Sequence, residues 1–189
     1  NPDVFWNALC SATNKLAKDY PVIFDSIQGV TLTTQRATVV VVDERGAPLR
    51  SAFVWLDERE AKGKPKLTFW ENLAFSLIGK KPTAHMAWRR SKANYMRIYE
   101  PEIWKRVHKY LLLSGYLTYK LTGEFVDSKA SQVGYIPFDY KRKDWISNPK
   151  HYRWRLFGIE KNMLPNLVEP TRLIGYVSEQ ASKETGLKK

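Results

Sequence analysis

Four consecutive valines, Val39 to Val42, constrain the fold of this chain more than any other feature of its sequence. Valine branches at Cβ and favours extended backbone, and an unbroken apolar run indicates a strand that is buried on both faces. The next segment, Asp43 to Gly46, carries turn-forming residues and predicts a tight turn. Such a strand needs apolar layers on both sides, which indicates a layered globular domain.

Further strands and helices are predicted around the valine run. Residues 26–34 and 50–59 are strand-like, so three short strands are expected, the last two joined as a hairpin. Helices are predicted at the following positions: 4–18, 69–79, 91–99, 102–121, 151–164 and 178–186. Gly123 is expected as a left-handed C-terminal cap, and Asp127 and Ser128 as caps of the segment that follows.

The order of these elements, a helix, short strands and then mostly helices, predicts an α/β fold. Three short strands make a thin sheet for this much helix. The sequence begins with Asn1 and Pro2, its first methionine is Met86, and it ends at Lys189 with no terminal element completed. We therefore predict that residues 1–189 are part of a longer protein, with further strands before residue 1.

Composition narrows the class of function. The 31 Lys and Arg against 19 Asp and Glu give a net charge of +12, which raises the alternative of a polyanion- or nucleic-acid-binding domain. The basic residues are scattered and no nucleic-acid-reading motif is present, so nucleic acid is not the favoured partner. One cysteine, three histidines without metal-ligand spacing and no long apolar run predict a cytoplasmic protein with neither a metal site nor a membrane segment.

Several segments resemble the FGGY carbohydrate kinases, in the order in which that family has them. "YLTYKLTGEFVDSKAS" (116–131) resembles the family's "dyL-x-y-x-LTGe" helix and the "tD-x-s-x-As" that follows it. The segment 29–59 ends in "WLDER" and resembles a region that ends in "W-x-D-x-R". "KANYMRIYEPEI" (92–103) is similar to "K-x-x-W-l-x-x-x-eP-e-i", and "LIGYVSEQASKETGL" (173–187) to the closing "G-x-l-t-x-x-A-x-x-tGl".

This resemblance implies part of an actin-like, RNase H-like ATPase fold and ATP-dependent phosphorylation of a hydroxyl on a small sugar or polyol. Residues 1–189 would be the latter part of the N-terminal, sugar-binding domain, without the ATP-binding C-terminal domain. The family's "D-x-G-T" phosphate hairpin would precede residue 1, and its catalytic Asp would follow Lys189. ATP and Mg²⁺ would then bind mainly outside this segment, which alone is expected to be inactive. A homodimer of the full-length protein stays open.

The resemblance assigns five substrate-binding residues: Gln35, Arg36, Trp55, Asp57 and Arg59. Arg36 is expected to contact substrate hydroxyls from the end of a strand. Members of the family with "Q-R" normally have Glu next, whereas Ala37 follows here, and the xylulokinase-type "Q-M-H" is absent. Polyols and ketoses both stay open as acceptors, and a ketopentose such as xylulose is favoured.

Each assignment has a structural alternative. Arg36 would form a surface ion pair, Trp55 would be a core residue, and Asp57 and Arg59 would only brace a turn. Lys92 matches a family lysine, with a solvated helix lysine as its alternative. A catalytically dead relative that serves as a scaffold is the remaining alternative for the whole chain.

Overall fold

The valine run lies between two hydrophobic cores. In the computed structural model, which describes residues 1–189, Val39–Val42 forms a strand whose four side chains are at most 6% exposed. Val39 and Val41 pack into a first core, and Val40 and Val42 pack into a second. Successive side chains of a strand point to opposite faces, so the prediction of a strand buried on both faces is confirmed.

Helices and short strands alternate along the chain in the manner of an α/β domain. The elements in chain order are α1 (Asp3–Asp19), α2 (Pro21–Asp25), β1 (Val39–Val42), α3 (Phe69–Leu77), α4 (Lys81–Arg90), α5 (Lys92–Tyr99), α6 (Pro101–Trp104), β2 (Lys109–Leu112), α7 (Leu113–Thr122), β3 (Val126–Ser128), β4 (Phe138–Asp139), β5 (Asp144–Trp145), α8 (Tyr152–Phe157), β6 (Asn166–Val168) and α9 (Glu179–Thr185). The first core is built with α4, α5 and α8, and the second with α1, α7 and α9. No helix is both long and apolar enough to cross a membrane.

Both edges of β1 are occupied. On one edge β2 pairs with it in antiparallel register. On the other edge, Phe53 exchanges two backbone hydrogen bonds with Val39, at 2.8 and 3.0 Å, and Pro48 bridges to Val42. The intervening turn is closed by Gly46 N–H donating to Asp43 O at 3.0 Å, as predicted. The predicted hairpin is therefore present only as two isolated bridges, and the predicted strand over 50–59 is wrong.

The strand predicted over 26–34 is also wrong. These residues follow α2 as irregular chain, and Val30 among them is 46% exposed. A strand needs a free edge with which to pair, and neither edge of β1 is free here. The residues of this segment favour extended backbone, but the tertiary structure gives them no strand with which to pair.

The continuous helix predicted over 102–121 is wrong, because a strand interrupts it. The segment 101–104 is helical, 109–112 forms β2, and 113–122 forms α7. In β2, Tyr110 and Leu112 face the first core while Leu111 faces the second. A short apolar run is compatible with both helical and strand periodicity. Pairing with the edge of β1 makes this segment a strand.

Helix ends follow local sequence signals more closely. Gly123 and Gly186 adopt the predicted left-handed conformation, with φ of +79° and +75°, after α7 and α9. The side chain of Ser178 accepts a hydrogen bond from Ala181 N–H and caps α9, as predicted. Helix α8 is shorter than predicted because Gly158 ends it at φ +69°. Helix α4 was not predicted.

Candidate functional site

A cleft of about 570 Å³ opens beside β1, and Trp55, Asp57 and Arg59 line it. Its wall includes Val39 of β1, two residues of β2 and the loop 133–136. Cavities of a few hundred cubic ångströms are the usual size of small-ligand sites. The structure thus brings together three of the predicted substrate-binding residues at a place large enough for a monosaccharide.

Trp55 is not a core residue. The chain turns after Val54, whose carbonyl accepts a hydrogen bond from Asp57 N–H at 2.8 Å. This turn leaves the side chain of Trp55 61% exposed at the cleft. An indole face in this position can pack against the apolar face of a sugar ring.

The carboxylate of Asp57 is held by protein donors. Its Oδ1 accepts hydrogen bonds from Arg59 N–H at 3.0 Å and from Lys92 Nζ at 3.1 Å, and Oδ2 accepts from Arg59 Nε at 3.0 Å. Burial raises the pKa of Asp57, but the hydrogen bonds from Arg59 and Lys92 outweigh it and hold the pKa at about 2. These donors occupy much of the acceptor capacity of the carboxylate, so Asp57 and Arg59 brace the turn while they line the cleft. Their contact with a substrate stays a prediction.

Lys92, the first residue of α5, is not a solvated helix lysine. Its side chain is 13% exposed, and its ammonium group donates to the carbonyls of Asp57 and Arg59 at 2.7 and 2.8 Å. Together with the bond to the Asp57 carboxylate, these contacts use all three protons of the ammonium group. Lys92 therefore fixes the turn that carries the cleft residues. The match to a family lysine was the only sequence signal for it, because its partners lie more than 30 residues away.

Gln35 and Arg36 are not among the residues that line the cleft. Both are exposed on the irregular segment before β1, so the strand end at which they were predicted does not exist. Ala37, the next residue, does line the cleft and has a positive φ of +58°. Arg36 forms no salt bridge, so its surface ion-pair alternative has no support, and its contact with a substrate stays a prediction.

Three further charged residues of the lining were not predicted from the sequence: Glu58, Glu60 and Arg90. Arg90 donates to Glu60 at 3.2 Å, and Arg89 lies 3.4 Å from the same carboxylate. The positive charge of Arg89 and Arg90 is therefore already partly neutralised within the chain. Glu58 was adjacent in sequence to Asp57 and could have been found from that position alone.

The donor set of the cleft does not fit a magnesium–nucleotide complex. No group of three or more His, Cys, Asp or Glu side chains could hold a metal ion. Two of the three carboxylates in the lining, Asp57 and Glu60, are paired with cationic side chains. A hard cation such as Mg²⁺ is bound instead by oxygen atoms that are not already paired with cationic side chains.

Replacing Asp57 with Asn should lower the free energy of unfolding at pH 7 by about 2 kcal/mol, because Lys92 loses its carboxylate partner. The folded pKa of about 2 lies below the ordinary value of 3.8, so this stabilisation is present above about pH 4 and is lost as the pH falls towards 2. Urea denaturation of both proteins over this range should show their stabilities converging in acid. A difference that does not depend on pH would contradict the ion-pair origin, and Asp25→Asn, at a carboxylate whose side chain is 73% exposed, is the matched control.

The chain belongs to the FGGY family of carbohydrate kinases. The model of that family's N-terminal domain matches residues 1–189. Among curated relatives, the xylulose kinase of Lactococcus lactis is 26% identical over 183 residues, which are 96% of this chain and 35% of the relative. The glycerol kinase of Thermococcus gammatolerans is 27% identical over 185 residues, 95% of this chain and 36% of the relative. The chain thus spans just over a third of the length of these relatives.

Solved structures show the same fold. The structure of the xylulose kinase from Rhodospirillum rubrum matches the whole chain with a TM-score of 0.76 at 19% identity, over 38% of its own length. That of the kinase from Brucella ovis matches 93% of the chain with a TM-score of 0.69 at 22% identity, over 35% of its own length. The predicted α/β fold of a sugar-kinase N-terminal domain is therefore confirmed.

Proposed function

We propose that residues 1–189 form the acceptor-binding part of a kinase that transfers the γ-phosphate of ATP to a hydroxyl of a small sugar or polyol. A ketopentose such as xylulose is the favoured acceptor. The observation that carries the proposal is the cleft itself, in which the open indole of Trp55 stands beside the fixed charges of Asp57, Arg59 and Lys92. An apolar face next to rigid polar groups is the combination that a sugar ring requires.

The chain contributes binding and orientation to this reaction. Phosphoryl transfer needs the acceptor hydroxyl held in line, the phosphate charge neutralised and one carboxylate positioned as a base. In the proposal the sugar ring packs against Trp55, and the braced turn from Asp57 to Arg59 presents polar atoms to its hydroxyls. When bound elsewhere in the protein, ATP and Mg²⁺ supply the phosphoryl group and its charge neutralisation.

The residues of the cleft also indicate which parts of the reaction this chain does not carry out. The lining of the cleft holds no carboxylate cluster for a metal, so we propose that the metal–nucleotide complex binds outside residues 1–189. By resemblance to the FGGY kinases, we propose that the catalytic base also lies outside this segment. The chain then corresponds to the latter part of the N-terminal domain of a cytoplasmic enzyme, and alone it would bind an acceptor without phosphorylating it. Full-length relatives named xylulose kinase and glycerol kinase support both a ketose and a polyol as acceptors.

The Trp55→Ala variant should bind D-xylulose about tenfold more weakly than the wild-type chain, because one stacked aromatic contributes about 1–1.5 kcal/mol. Isothermal titration calorimetry with D-xylulose and glycerol measures this directly. Trp70→Ala is the matched control, since Trp70 is 74% exposed on α3 and does not line the cleft. Equal losses of D-xylulose affinity in the two variants would show that Trp55 does not contribute to the binding site.

The activity is tested on the complete kinase that contains this domain. A panel of ketopentoses and polyols should include an acceptor that couples ATP consumption to sugar phosphate formation. The same panel without coupled turnover, together with no binding to this chain, would contradict the proposal and favour the scaffold alternative.

A further inference from the structure

The cations of the cleft are already paired with carboxylates of the same chain. Three cationic side chains line it: Arg59, Arg90 and Lys92. Arg59 and Lys92 both bind the carboxylate of Asp57, and Arg90 binds Glu60 at 3.2 Å. An anionic ligand would therefore meet cations whose charge is already offset by carboxylates of the same chain.

Glu58, in contrast to these cations, is a charged residue of the lining without a charged partner. It lines the cleft, is exposed, and makes neither an ion pair nor a side-chain hydrogen bond with any other residue. A free carboxylate of this kind accepts hydrogen bonds from hydroxyl groups and repels a carboxylate or phosphate brought beside it. The unpaired charge in the lining is thus negative.

From this arrangement we propose that the cleft selects uncharged polyhydroxylated acceptors and rejects anionic ones such as aldonates, with Glu58 as the specificity-determining residue. The proposal rests on the function proposed above and narrows its substrate class. Sites built for carboxylate or phosphate present unpaired arginine forks or backbone N–H groups to the ligand. Arg36, which has no carboxylate partner, is not among the residues that line the cleft.

Xylitol and D-xylonate test the proposal because they share a carbon skeleton and differ only in one terminal group, a primary alcohol or a carboxylate. Calorimetric titration of the wild-type chain at about 20 mM salt should show D-xylonate binding at least about tenfold more weakly than xylitol. At about 500 mM salt this ratio should shrink, because repulsion from an exposed carboxylate is screened.

The Glu58→Gln variant separates charge from hydrogen bonding. The amide keeps one acceptor oxygen, so xylitol affinity should fall only about two- to threefold, whereas D-xylonate affinity should rise. The ratio between the two ligands should therefore narrow about tenfold. Glu44→Gln makes the same charge change at an exposed residue outside the cleft, and its ratio should equal that of the wild type.

Wild-type chain that binds D-xylonate as tightly as xylitol overturns the inference and leaves the proposed function standing. A Glu58→Gln ratio equal to that of Glu44→Gln also overturns it. If the wild-type chain binds neither compound, nor D-xylulose or glycerol, the proposed function fails as well, and this result is distinct from the first two.

Discussion

The Phe53→Ala variant is expected to lose about 3–5 kcal/mol of its free energy of unfolding, since truncating a buried phenylalanine leaves a cavity. Phe53 is 1% exposed and packs edge to face against Tyr95, with ring centroids 5.7 Å apart. The guanidinium of Arg50 lies 3.6 Å from the centre of its ring, and this cation–π contact is lost too. Urea denaturation at pH 7 measures the loss.

Phe69→Ala makes the same chemical change at a side chain that is 73% exposed on α3. Its expected cost is within about 0.5 kcal/mol, as for most surface substitutions. Similar losses in the two variants would contradict the position of Phe53 in the first core. Because the backbone bonds between Phe53 and Val39 do not involve the side chain, Phe53→Ala should keep the fold and allow the comparison.

The second large effect is expected for Asp127→Ala, at about 3 kcal/mol, because the change strands buried donors. Asp127 is 1% exposed; its Oδ2 accepts from Ser114 Oγ and Gln132 Nε2, both at 2.8 Å, and its Oδ1 accepts from Ser128 N–H at 2.7 Å. Burial raises the pKa of Asp127, and these hydrogen bonds only partly oppose it. The carboxylate thus joins α7 to the chain that follows β3.

Comparison with Asp25→Ala separates this network from a general effect of losing a carboxylate, since the Asp25 side chain is 73% exposed. That control should cost less than about 1 kcal/mol. Chemical denaturation of both variants at pH 7 should rank them clearly. Equal stabilities would show that the Asp127 network does not hold α7.

Asp127 also shows where sequence reasoning reached its limit. It was predicted, with Ser128, to cap the next segment, and only Ser128 does so, accepting from Ala130 N–H at 3.2 Å. The position of Asp127 depends on Ser114 in α7, and a capping motif read along the chain contains no information on that neighbour. The family signature around residue 127 was recognised correctly, but its physical role was not.

Elements whose conformation depends on residues nearby in the sequence were predicted well. Helix α1 lies within one residue of its predicted ends, and Gly123, Ser178 and Gly186 occupy their predicted caps. Each of these depends on side-chain periodicity or on the backbone freedom of one residue. Strand β2 was mistaken for helix, because its partner lies about 70 residues earlier in the chain.

The features of the cleft likewise fall into those predicted from the sequence and those seen only in the structure. The family, the valine strand and the candidate residues Trp55, Asp57 and Arg59 were predicted from the sequence, because these are properties of contiguous segments. Three features became evident only in the folded structure: Lys92 closes the turn, Arg36 lies outside the lining, and Glu58 is the one charged lining residue without a charged partner. The physical reason is that ion pairing depends on distances between residues far apart in sequence, which no local pattern specifies.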